Sequence, residues 1–160
     1  DNSYADVLQG RDQEKTLSLG HSRGTIVQRN AFNIAADRGY TNPLLRVEGV
    51  GGAVSFSEYS DAAKRIIQDP ERLQNQVGFT YFANDPVSVI AAGNPGDALA
   101  ALREFFNVVT KDNSAHSCYG TGAAGCVSIA NPVPGGPVPA QQNPNLIRVY
   151  RGGELAPSKP

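Results

Sequence analysis

Apolar and polar positions along the chain fall into short runs whose period switches between two and nearly four. Asp1 to Lys15 is polar with scattered apolar positions and predicts a short helix followed by a loop. Thr16-Leu17-Ser18-Leu19 alternates and stops at Gly20, the pattern of a short strand. From Thr25 the apolar residues Ile26, Val27, Ala31, Ile34 and Ala35 recur near helical spacing, and Gly39 stands where a helix C-cap would. The same alternation continues downstream. Leu44 to Val50 predicts a second strand running into Gly51-Gly52, and Ser57 to Gln76 contains a helix with Ala62, Ala63, Ile66 and Ile67 on one side. Val77 to Ala83 predicts a third, aromatic strand, and Asp97 to Val109 a helix that offers Leu99, Leu102, Phe105 and Phe106 as its buried face. Strands alternating with helices predict an α/β fold with a mainly parallel sheet flanked by helices.

The character changes after Cys126. Asn131 to Pro144 holds five prolines and two glycines, the composition of a linker or extended loop, and Leu146 to Tyr150 reads as an edge strand or the start of a following domain. The expected organisation is one domain over 1–130 and a Pro/Gly-rich extension over 131–160. A length of 160 residues with 40% hydrophobic and 18% charged content is that of one globular domain.

A net charge of −1 without a basic run argues against nucleic acid as a partner, because phosphate neutralisation supplies most of that affinity. No apolar run is long enough to predict a transmembrane segment, and the N-terminus has neither region of a signal peptide. The chain has no Met, so it is expected to be excised from a longer precursor. Cys118 and Cys126 flank a glycine-rich loop that permits either a disulfide or two free thiols. Two cysteines without clustered His or acidic residues make a poor zinc site, so no metal and no cofactor are expected.

The chemistry concentrates in Gly20-His21-Ser22-Arg23-Gly24, a Gly-x-Ser-x-Gly pattern between a predicted strand and a predicted helix. That context is the one in which the pattern forms a nucleophile elbow, a sharp turn that exposes the serine. Gly20 and Gly24 are read as small residues required by close strand–helix approach, and the Arg23 N–H as an oxyanion donor beside the helix N-terminus. Read alone, the five residues are also compatible with an ordinary glycine-flanked turn. A serine nucleophile needs a base, and the chain has two histidines. His21 lies inside the elbow and is expected to point elsewhere, which leaves His116, in a polar loop where a surface histidine would also be unremarkable. The order Ser, Asp/Glu, His confines the acid to residues between 22 and 116. Asp85 follows the third strand directly, at the carboxyl end where α/β folds gather functional groups, although an Asp-Pro step also stabilises turns. Asp61 and Asp69 fall in or beside a helix, Asp97 reads as a helix N-cap, and Asp112 is close to His116.

These residues together, the Gly20–Gly24 elbow, Asn84-Asp85-Pro86-Val87 after a strand and His116 in a loop, resemble the C-terminal half of an α/β-hydrolase of the lipase and esterase type over roughly residues 16 to 120. The resemblance implies a minimal or truncated hydrolase fold and a serine hydrolase of small-molecule or lipid esters, with Ser22 as nucleophile, His116 as base and Asp85 as orienting acid. In that family a loop after an earlier strand supplies the second oxyanion N–H. Gly20-His21-Ser22-Arg23-Gly24-Thr25 and His116-Ser117-Cys118-Tyr119-Gly120 are also similar to segments near the C-termini of bacterial exoproteins of the filamentous haemagglutinin and contact-dependent inhibition type. That similarity implies a secreted or surface-derived bacterial module, and offers the alternative of an inactive delivery, interaction or toxin module that binds an immunity protein. A nuclease toxin ranks last, for want of a basic patch or a carboxylate cluster.

Overall fold

A computed structural model of the chain describes residues 1–110, 115–119 and 146–150. Its sheet holds three parallel strands, β1 (Thr16–His21), β2 (Leu45–Val50) and β3 (Val77–Phe82), with β4 (Leu146–Tyr150) antiparallel to β3, in spatial order β1-β2-β3-β4. The helices are α1 (Asn2–Gln9), α2 (Arg23–Asp37), α3 (Phe56–Ile67), α4 (Pro70–Gln76) and α5 (Ala98–Thr110). This is the α/β fold with flanking helices that the pattern predicts. Leu146–Tyr150 takes the edge-strand alternative, so the C-terminal stretch contributes to the same sheet. Cys126, and with it the disulfide question, lies outside the described residues.

Strand register sorts side chains onto two faces, since successive residues alternate. Ser18 and Gly20 of β1, Val47 and Gly49 of β2, and Val77, Phe79 and Tyr81 of β3 share the face covered by α1, α2 and α3. The core sits there, with Phe32, Tyr59, Ile66, Val47, Phe79 and Tyr81 fully buried. Leu17, Leu19 and His21 lie on the opposite face and are exposed.

Two details depart from the sequence pattern. The predicted helix within Ser57–Gln76 is two helices, because Gln68 adopts a left-handed conformation (φ 54°) and Asp69-Pro70 begins a new one. Asp69 caps α4 by accepting from the Glu71 and Arg72 N–H groups, and Pro70 occupies its first turn. In α5, Leu99, Leu102 and Phe105 are exposed, while Ala101 is fully buried. The apolar run Ala98-Leu99-Ala100-Ala101-Leu102 carries too little polar contrast to fix which face turns inward, and the small residue packs there. Asp97 caps α5 as expected, accepting from the Ala100 N–H at 2.9 Å.

Candidate active site

β1 ends one residue before Ser22, and α2 begins one residue after it, so the whole reversal is made at that residue. Ser22 has φ 53° and ψ −123°, a backbone region that costs a non-glycine residue on the order of 1–3 kcal/mol. Surrounding bonds hold it there. The Ser22 N–H donates to the Val50 carbonyl at 3.0 Å, and its own carbonyl accepts from the Thr25 hydroxyl at 2.7 Å. The buried Thr25 hydroxyl also accepts from the Ala53 N–H at 3.0 Å, which ties the elbow to the loop after β2.

Beneath the elbow runs a buried polar chain. Gln28 donates to Ser18 Oγ at 2.6 Å and accepts from the Tyr59 hydroxyl at 3.1 Å, and Ser18 also bonds the Tyr4 hydroxyl. Gly20 is required by this packing, because a Cβ there would overlap the Gln28 carboxamide. Gly24 is not required in the same way. A Cβ at Gly24 would meet nothing within 4 Å, which corrects the expectation that both glycines serve close approach. Gly24 falls in the first turn of α2, where an added Cβ would enter open space although its backbone lies close to Gly20.

Ser22 Oγ lies 2.8 Å from His116 Nε2, and His116 Nδ1 lies 3.1 Å from each carboxylate oxygen of Asp85. An imidazole nitrogen facing two carboxylate oxygens must carry the proton, so Nδ1–H donates to Asp85 and Nε2 accepts from the Ser22 hydroxyl. Sequence order brings these groups from three elements. Ser22 follows β1, Asp85 follows β3, and His116 sits on a 3-10 turn, Ala115–Cys118, that packs against α5.

Asp85 is fully buried and saturated with donors. Its Oδ1 accepts from the Val87 N–H at 2.8 Å and the Ser88 N–H at 3.3 Å, which caps the π-helical turn Val87–Ala91. The Asp-Pro turn role and the His116 contact are thus filled by one carboxylate. Burial pushes the Asp85 carboxyl up, but the hydrogen bond and charge of His116, the Tyr119 hydroxyl and the Val87 N–H outweigh it and hold the group below the ordinary carboxylate value.

Three neighbours escaped the sequence reading. His21 does not point away: its ring stacks on His116 with centroids 5.4 Å apart and an interplanar angle of 21°. Partial desolvation on its stacked side, together with the charge of His116, lowers the His21 pKa. Tyr119 donates to Asp85 Oδ2 at 2.7 Å. Ser88 Oγ reaches the Gly52 carbonyl at 3.0 Å and Asp85 Oδ2 at 3.3 Å. Tyr119 follows the 3-10 turn directly, and its partner is 34 positions away, so no local pattern marks it.

The Arg23 N–H, in the first turn of α2, has no intrahelical acceptor and stands beside the serine. α1 is the element that precedes β1 among the described residues. Among the described residues no cluster of three His, Cys, Asp or Glu is placed to hold a metal ion, and no helix is long and apolar enough to cross a membrane. No protein-family model, curated protein or solved structure matches the chain.

Proposed function

We propose that the protein is a serine hydrolase of carboxylic esters bearing an apolar acyl or alkyl group, lipid esters included. The observation that carries this reading is the continuous Ser22–His116–Asp85 hydrogen-bond array, with contacts of 2.8 and 3.1 Å. In the proposed reaction Ser22 Oγ attacks the ester carbonyl carbon while its proton passes to His116 Nε2. The Arg23 N–H donates to the carbonyl oxygen as it becomes an oxyanion. The carbon–oxygen bond to the alcohol then breaks, and His116 returns the proton to the departing alkoxide, leaving acyl-Ser22. Water attacks that ester, its proton goes to His116, and the acid leaves as Ser22 regains its proton. Asp85 keeps the imidazole in the required tautomer and offsets the charge of the imidazolium.

The strained backbone at Ser22 favours this reading over an inactive interaction module. Strained backbone concentrates at functional sites, and here the strained residue is the serine whose hydroxyl faces His116 Nε2. The apolar-substrate part is supported by exposed apolar side chains on elements that carry or adjoin the array. Ile90 lies on the turn that Asp85 caps, and Leu99 and Leu102 lie on α5, which packs against both that turn and the one bearing His116. Release from a bacterial surface precursor, as the exoprotein similarity implies, belongs to the same proposal.

A series of p-nitrophenyl esters tests it. Acetate, butyrate and octanoate esters should all turn over, with kcat/KM rising about 3- to 10-fold from acetate to butyrate as two methylenes leave water. Absence of turnover across the series would overturn the reading, and a flat chain-length profile would remove its apolar-substrate part.

A further inference from the structure

We propose that Tyr119 is a fourth member of the array, a positioning residue that fixes both the Asp85 carboxylate and the turn that carries His116. The inference rests on the hydrolase reading and adds a residue to that site. Its hydroxyl is used twice: it donates to Asp85 Oδ2 at 2.7 Å and accepts from the Phe82 N–H at 2.8 Å. The second bond anchors the phenol to the last residue of β3, three positions before Asp85, so the donor and the carboxylate it orients share one strand end. Tyr119 is 6% exposed, and burial with the Asp85 charge pushes its hydroxyl well above the ordinary phenol value. The phenol therefore stays protonated, and a donor, wherever the array works.

The ring does separate work. It packs with Val50, Phe82 and Ala115 in a small apolar cluster on the sheet face opposite the main core. Its centroid lies 5.1 Å from that of Phe82, 5.4 Å from that of His21 and 6.3 Å from that of His116. Gly51, at φ 53°, gives the ring its seat, because a Cβ there would overlap it. Tyr119 lies three residues after His116, so docking this ring sets where the imidazole stands. The hydroxyl settles how the carboxylate is turned: with Oδ1 held by the Val87 N–H and Oδ2 by Tyr119, both oxygens face Nδ1.

Tyr119→Phe keeps the ring and removes the hydroxyl. It should lower kcat for p-nitrophenyl butyrate about 10-fold with KM unchanged, the loss of one hydrogen bond to a charged group. The low-field proton resonance of His116 Nδ1–H, identified by its loss in His116→Ala, should move or broaden in Tyr119→Phe, because Asp85 Oδ2 loses a competing donor. Site-specific 3-fluorotyrosine at 119, a stronger donor of nearly the same shape, should move that resonance the opposite way, and it serves as the readout if Tyr119→Phe does not fold. Unchanged kcat with an unchanged resonance in a folded Tyr119→Phe protein would overturn the proposal, whatever its thermal stability. The resonance is read without substrate. A wild type inert towards esters would therefore defeat the hydrolase reading while the spectrum still judged the Tyr119 bond.

Discussion

Ser22→Ala and His116→Ala should each lower kcat for p-nitrophenyl butyrate on the order of 10⁴-fold or more, and the double variant should be no worse than either single one. The reason is that the two residues act as a unit. Without Ser22 no covalent intermediate forms, and without His116 the hydroxyl 2.8 Å away has no acceptor for its proton. Each removal leaves only binding and the Arg23 N–H, and removing the second partner then takes away nothing further. Comparing the singles with the double by initial rates checks this. Multiplicative losses would mean that the two side chains contribute separately and that the array is not one machine. Folding is not at issue for Ser22→Ala, since it keeps the backbone bonds to Val50 and Thr25.

Asp85→Asn is expected to cost about 10³- to 10⁴-fold in kcat, through the wrong imidazole tautomer. An asparagine presents one acceptor and one donor where the carboxylate presents two acceptors. Val87 and Ser88 N–H groups hold the Oδ1 position as acceptor, which turns the NH₂ towards Tyr119 and His116. His116 Nδ1–H then meets an N–H donor in place of one of its two acceptors, which favours the tautomer protonated at Nε2, and that nitrogen cannot take the proton of Ser22.

The same substitution has a stability signature whose sign follows from the depressed pKa. A carboxyl whose folded pKa is lowered contributes stability that is fully present above its unfolded value and is lost as pH falls through the folded value. The wild type should therefore exceed Asp85→Asn in urea stability by most at neutral pH, and the gap should narrow on acidification through the carboxylate range. A gap independent of pH would show that Asp85 is not ionised in the fold.

Legibility in the sequence followed how local each feature is. The β1–turn–α2 unit was readable because its period changes from two to nearly four across five residues whose glycines punctuate the turn. Asp85 was readable because it directly follows a strongly patterned strand, and His116 because the chain has two histidines and the other sits in the elbow. The His21 stack was not readable: alternation along β1 places its side chain on the open face with Leu17 and Leu19, but nothing local says that the His116 turn lands on that face. Tyr119 was missed for the same reason, its contacts lying 34 and 37 positions away. The break at Gln68 depends on a left-handed residue that is not glycine, and its sequence mark is the Asp69-Pro70 helix start, which periodicity alone passes over. In α5 an alanine is buried and larger residues are exposed, an inversion that hydrophobicity alone cannot signal.

The most direct measurement is the mass and site of the adduct formed when the folded protein is treated with a fluorophosphonate, a reagent that requires an activated serine. One phosphonyl group per chain is expected, mapped by peptide sequencing to Ser22 and absent from Ser22→Ala and His116→Ala. An unmodified wild type, or an adduct that persists in Ser22→Ala, would contradict it.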